Sequence, residues 1–195
     1  MVPAALVALV EANCMNRRSA LACLCGIGLA GLTHRAFAKT TLSSIPLKNH
    51  ETAMRAAIAM ATQNQSYPFG AVITNAHSGE ILARGVNKTF DNPLLHGEIS
   101  CINQYIAQYG NKNWGDLVLY TTGEPCPMCM SALVWTGIGG VVYGSSAATI
   151  KKSGIDIFNF SAKDINQGNN FSQTQLMGGI LEHQCDALFI NRKRT

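Results

Sequence analysis

His96-Gly97-Glu98 and, about thirty positions later, Glu124-Pro125-Cys126-Pro127-Met128-Cys129 are the residues whose types and spacing could do chemistry. One imidazole and two thiolates fill three corners of a tetrahedron around Zn²⁺ and leave the fourth for water, the pattern of a catalytic rather than a closed structural site. His96, Cys126 and Cys129 are therefore expected to hold one zinc ion per chain. Glu98 lies two residues from a ligand without being one, and is expected to be the catalytic proton carrier. Water acidified by a metal beside a free carboxylate is hydrolytic chemistry.

Both segments need an element that aims them. Pro125 and Pro127 flank Cys126 where a helix would begin, and a proline costs nothing there because the first-turn N–H groups are unpaired anyway. Cys126 and Cys129 are then i and i+3 on one face of the first turn, where the positive end of the dipole favours thiolates. His96 opens a helix of its own over Gly97 to Tyr109. Two helix starts converging on one ion is the expected geometry.

The remaining periodicities supply a frame for them. Helical spacing is expected over His50 to Gln65, Cys126 to Thr136, Ala147 to Lys152 and Ile180 to Ile190. Strand runs are expected at Gly70 to Asn75, Ile81 to Asn87, Leu117 to Thr121, Gly140 to Tyr143 and Gln173 to Met177. The first two form a hairpin across His77-Ser78-Gly79, and Asp91-Asn92-Pro93 marks the loop after it. Beyond Gly154 the Asn-rich stretch reads as a long loop. Unbroken apolar runs such as Leu117-Val118-Leu119-Tyr120 belong to strands covered on both faces, so the fold class is α/β in three layers.

Other readings of the same residues stand beside this one. Cys126-Pro127-Met128-Cys129 has redox-dithiol spacing, which leaves His96-Gly97-Glu98 without a role. A structural zinc site closed by Cys101 leaves Glu98 without one. Taken singly, Phe69 and Trp135 are core residues, Glu98 is a surface acid favoured by a helix dipole, and Arg192-Lys193-Arg194 is a solvated helix end.

The chain has 195 residues, and its first 38 have a different character. Arg17-Arg18, an apolar stretch from Leu21 to Leu32 and Ala36-Phe37-Ala38 follow the plan of a secretory leader with its cleavage site. The apolar stretch is short of the ~20 residues that span a bilayer, so no stable membrane anchor is expected. Translation is expected to start at Met15. Export to a periplasm or the exterior is the expected localisation. The Arg17-Arg18 pair makes twin-arginine export an alternative route, and an organellar location, suggested by the lack of acid from Asn16 to Ala38, or a cytoplasmic one is the alternative to export. One domain, 39–195, remains, with twelve Lys and Arg against ten Asp and Glu. That balance gives no general case for nucleic-acid binding. It keeps Cys101, Cys126, Cys129 and Cys185, and sequence leaves open whether Cys101 pairs with Cys185.

The chain resembles the cytidine deaminase superfamily, in the branch that holds guanine deaminases, cytosine deaminases and tRNA adenosine deaminases. Pro68-Phe69-Gly70-Ala71-Val72-Ile73, Asn87, Leu119-Tyr120-Thr121, Glu124 to Cys129 and Trp135 are most similar to guanine deaminases. His96-Gly97-Glu98-Ile99-Ser100 with Leu119-Tyr120-Thr121-Thr122 is more similar to cytosine deaminases. The resemblance implies an α/β/α sandwich with a mixed five-stranded sheet, a homodimer and a hydrolytic deaminase of a free nucleobase or nucleoside. Guanine and cytosine are the first candidates; a base in RNA or DNA, or a non-catalytic zinc-stabilised domain, are the alternatives. It also implies that Asn87 hydrogen-bonds the base, that Phe69 and Trp135 wall the pocket, and that Glu98 carries a proton from water to a ring nitrogen before ammonia leaves. Where the family usually has Ala, Gly97 is expected to alter the size of the pocket, because that backbone lies against the base.

Overall fold

A computed structural model describes residues 40–172 and 174–194. The expected leader and its start at Met15 lie outside the described residues. Among those described, no helix is long and apolar enough to cross a membrane.

Five strands form one sheet in the order β2-β1-β3-β4-β5. β1 (Gly70–Asn75) runs antiparallel to both β2 (Ile81–Val86) and β3 (Leu117–Gly123), while β4 (Gly140–Ser145) and β5 (Gln175–Met177) continue parallel to β3. Alternation along the central strands divides the core. Ala71, Ile73, Leu117, Leu119 and Val141 pack on α2 (Gly97–Tyr109), α3 (Pro127–Thr136) and α5 (Ala162–Gln167). Val72, Val118, Tyr120 and Val142 pack on α1 (Leu47–Ala61) and on Cys185 of α6 (Glu182–Ile190). The mixed α/β/α sandwich results, because a strand of period two with two apolar faces has to be covered twice. The same division settles the cysteines: Cys101 and Cys185 lie on opposite faces of the sheet, and all four described cysteines are free.

Two sequence expectations need correction. α1 ends at Ala61, not Gln65. Asn64 instead uses its side chain locally, donating to the Asn87 carbonyl at 3.0 Å and accepting from the Tyr67 N–H at 3.0 Å, and so competes with helical bonding. The stretch expected to be loop after Gly154 contains α5. Its start is a capping box, in which the Ser161 hydroxyl accepts from the Asp164 N–H and the Asp164 carboxylate accepts from the Ser161 N–H. Ser161-Ala162-Lys163-Asp164 is the signal that would have found it.

The strand register brings the chemistry to one edge. Thr121 stands opposite Ala71 on one side and Tyr143 on the other, and Gly123 opposite Ser145. Phe69, Glu124 and Ser146, the next residues along each chain, therefore share one end of the sheet. This is the carboxyl end of the parallel strands, where α/β sheets open a crevice. Gly85 lets α2 reach that end: a Cβ there would overlap the main chain of Gly97 and Cys101. The first turn of α2 thus lies against β2 with no side chain between them.

Candidate active site

His96 and Cys126 are the N-cap residues of α2 and α3, both with extended backbone, and Pro127 opens α3. The two helix starts meet as the prolines and spacing predict. His96 Nδ1 lies 3.7 Å from Cys126 Sγ, and one ligand atom from each of His96, Cys126 and Cys129 falls within 4.8 Å of the others. Ligands at ordinary Zn–N and Zn–S distances under a tetrahedral angle lie about 3.6 Å apart, so these residues fit the ion. Cys101 is not in the group; it is buried in the core between α2 and β1, which removes the closed four-ligand site.

The electrostatics suit a metal ligand set. Hydrogen bonding from the Cys129 side chain, opposed by burial and reinforced by His96, pulls the Cys126 thiol down to about 4. His96 is raised, first through its hydrogen bond to Cys126. Of the two thiols, Cys126 at the helix N-terminus is thus the one favoured as thiolate, while the hydrogen bond to Cys126 and burial push Cys129 up. Glu98 is buried at 2% exposure, and its pKa is raised by that burial and then by the charge of Cys126. Its Oε1 accepts from the Thr121 hydroxyl at 3.3 Å, while Oε2 is buried without a partner. An orphaned carboxylate oxygen beside a triad that fits a metal is an expensive feature of the fold that packing does not explain.

These residues open into a cavity of about 320 Å³, at the small end of the range for small-molecule sites. Phe69, Asn87, His96, Glu98 and Cys126 are among the residues that line it. Asn87 is buried, and its Oδ1 already accepts from Thr89 N (3.1 Å), Thr89 Oγ1 (2.8 Å) and Asn64 Nδ2 (3.4 Å). Its amide N–H group is left as the donor for a ligand.

Two expectations are corrected here. Trp135 does not line this cavity within the protomer. It is 75% exposed, with its ring 4.7 Å from Phe171 across a separate groove, so it is not a core residue either. Nine residues beyond Cys126 is two and a half helical turns, which points it away from that ligand. A Cβ on Gly97 would meet the Phe69 carbonyl oxygen at 2.6 Å. Gly97 therefore sets how closely α2 approaches the Phe69 main chain, and does not itself line the cavity.

Sequence reasoning missed several lining residues. Tyr67 and Thr89 flank predicted ones, and Ile155, Asp156, Ile157, Phe158 and Phe160 come from the stretch read as loop. Four apolar residues in six were the available signal. Glu124 also lines the cavity, and its carboxylate accepts from the Ala147 N–H (2.9 Å) and the Ala162 N–H (3.0 Å). It thereby ties the metal-binding loop to the first residues of α4 (Ala147–Lys152) and α5.

The Thr121 hydroxyl donates to Glu98, and its substitution gives a sharp expectation. Thr121→Val keeps the shape and removes the hydroxyl, so kcat should fall about tenfold, the worth of one hydrogen bond to a charged group. KM and zinc content should hold in steady-state assays. An unchanged kcat would show that burial alone orients the carboxylate.

The chain is similar to known proteins. Residues 47–145 match the family described as the cytidine and deoxycytidylate deaminase zinc-binding region. The chain is 34% identical to the guanine deaminase of Bacillus subtilis over 156 residues, which cover 74% of this chain and 98% of that protein. It is 30% identical to the tRNA-specific adenosine deaminase of the same species over 131 residues, 66% of this chain and 76% of that one. Among solved structures, the guanine deaminase of Nitrosomonas europaea superposes with a TM-score of 0.63 at 20% identity, covering 75% of this chain and 83% of that one. A zinc-fitting triad beside a buried carboxylate, on this sheet and with this family match, is thus explained in one way: the chain belongs to the cytidine and deoxycytidylate deaminase family and is a hydrolytic deaminase.

Proposed function

We propose that the protein deaminates a free nucleobase, with guanine the first candidate, using one zinc ion per chain held by His96, Cys126 and Cys129. The observation that carries this reading is the base-sized cavity in which the Asn87 amide and the Glu98 carboxylate converge. Guanine presents O6 and N7 as adjacent acceptors, which suits a site whose free Asn87 group is a donor. The similarity to the Bacillus guanine deaminase along nearly its whole length supports the same choice.

Zinc supplies acidity to water, bringing its pKa toward ~7 so that a nucleophile exists at neutral pH. Glu98 receives the proton that water gives up, since it lines the cavity and its buried Oε2 has no hydrogen-bond partner in the protein. It then delivers that proton to the ring nitrogen next to the carbon under attack. A second transfer through the same carboxylate converts the amino group into ammonia, so one water is consumed and a ring amine becomes a carbonyl. Phe69 and Tyr67 hold the base by apolar contact and exclude bulk water.

The test is ammonia release by the full-length, zinc-loaded protein offered guanine, cytosine, adenine, their nucleosides and tRNA in parallel. Turnover of guanine is the expected result. Turnover of tRNA alone would overturn it in favour of the activity named for the second relative.

We further propose that the protein is a homodimer that packs through the exposed aromatic face of Trp135, Phe160 and Phe171. Phe160 lines both that groove and the catalytic cavity, so a second copy there would also finish the cavity wall. Trp135→Glu should shift sedimentation toward the monomer. A wild-type monomer at micromolar concentration would remove the idea.

A further inference from the structure

The guanidinium of Arg192, just beyond α6, joins two stretches of main chain that both wall the catalytic cavity. Nη1 donates to the Ser66 carbonyl at 3.2 Å and Nη2 to the Gly154 carbonyl at 3.2 Å. Its central carbon stands 5.8 Å from the centroid of the Tyr67 ring, within cation–π range. The Lys193 N–H adds a bond to the Gln65 carbonyl at 2.9 Å, and Phe189 packs on Phe69 with ring centroids 4.9 Å apart. One strand of contacts from the α6 terminus therefore reaches residues 65–69. The Arg192 fork carries it across to Gly154.

That second attachment matters because of the segment it holds. The chain leaves α4 through a left-handed glycine, Gly154 (φ +83°), and then supplies Ile155, Asp156, Ile157, Phe158 and Phe160 to the cavity. Among the described residues, 155–160 enter no backbone–backbone hydrogen bond. A stretch with so few bonds has low local stability, and its place depends on its few anchors. Those are Ile155 and Ile157 packed with Ile150 and Phe189, a bond from Lys151 Nζ to Asn159 Oδ1 at 3.3 Å, and Arg192 at the Gly154 carbonyl where the segment begins. Arg192 Nε is buried with no acceptor, a cost that two charge-assisted bonds and the Tyr67 ring face offset. A planar fork with donors on two arms is suited to bridging carbonyls from different segments, and an ammonium is not.

We propose that Arg192 is a positioning residue for substrate binding, coupling the wall at 66–69 to the wall at 154–160 so that the cavity keeps its base-sized shape. The inference rests on the cavity being the substrate site. It also takes Arg192 out of the set of cations free to contact phosphate.

Arg192→Ala should raise KM for the deaminated base about tenfold and leave kcat within about threefold, the pattern expected when binding shared by ground and transition states is lost. The metal triad and Glu98 are held by α2 and α3, which Arg192 does not touch, so zinc content should not change. Millimolar guanidinium added to the variant should restore KM. Arg192→Lys, which keeps the charge and stem without the fork, should show a smaller rise and serves if the alanine variant does not fold. Proteolytic cleavage of the native protein within 155–160, at Phe158 or Phe160, should accelerate in either variant, a readout that needs no turnover. Wild-type KM in both variants, kcat falling as much as KM rises, or an unchanged cleavage rate within 155–160 would each overturn the proposal. A wild-type protein that turns over no base would instead overturn the substrate reading, with the cleavage rate still deciding whether Arg192 anchors the segment.

Discussion

Glu98→Gln is expected to lose at least about a thousandfold in kcat/KM while binding zinc like the parent protein. A positioned acid or base contributes roughly 10²- to 10⁴-fold to a proton-transfer step, and here one carboxylate is asked to serve in successive transfers. The amide fills the same space and can still accept from Thr121, so the cavity survives and only the proton carrier is lost. Glu98 lies outside the ligand group, which is why metal content and activity should separate. Stability should move the other way. Burial raises the Glu98 pKa because the charged form is poorly solvated there, and a neutral amide avoids that cost. The melting temperature is thus expected at or above that of wild type, the usual trade between a functional site and stability. Ammonia release, metal analysis and a thermal scan on one preparation check all three. A variant that keeps zinc and wild-type turnover would remove Glu98 from the chemistry.

Cys126→Ala should lose zinc and turnover together. Three ligands are the fewest that hold a catalytic zinc ion, and Cys126 is the thiol whose local partners, Cys129 and His96, make it the readiest thiolate. It is only half-buried, so the packing lost is small and the effect reports on the metal. Because an ion that binds only the folded state stabilises it in proportion to the logarithm of its concentration over Kd, the variant should also melt lower than wild type in zinc-containing buffer. The two should melt alike after chelation. Turnover by Cys126→Ala at the wild-type rate, with zinc still present near one per chain, would exclude this residue as a ligand. The contrast between the two substitutions is informative in itself: one keeps the ion and loses chemistry, and the other loses both.

The parts of the fold visible beforehand were those with strong local causes. Leu117 to Tyr120 reads as a doubly covered strand because no polar residue interrupts it, and it is the buried core of β3. Pro125 and Pro127 announce the start of α3, and Cys126 is its N-cap. α5 is not announced by its pattern, because six residues carry too little periodicity, although Ser161 and Asp164 mark its first turn. α1 ends earlier than its periodicity predicts because the bond from Asn64 to Asn87 spans 23 positions and has no local signature.

For the site the division is similar. Zinc coordination demands particular atoms at particular spacings, and those demands are written in His96-Gly97-Glu98 and in Cys126 to Cys129, so residue type by itself determined the reaction class. Burial, orientation and distance are properties of packing. Only the tertiary structure decided that Thr121 meets Glu98, that Asn87 has one end of its amide occupied, and that Trp135 faces outward. It also decided that Arg192, a terminal cation by sequence, reaches back to Ser66 and Gly154. Apart from the short link between Thr89 and Asn87, these contacts join residues that chain order keeps apart or turn a helix face that composition leaves undetermined, because side-chain direction is set by what the sheet and its covering helices leave room for.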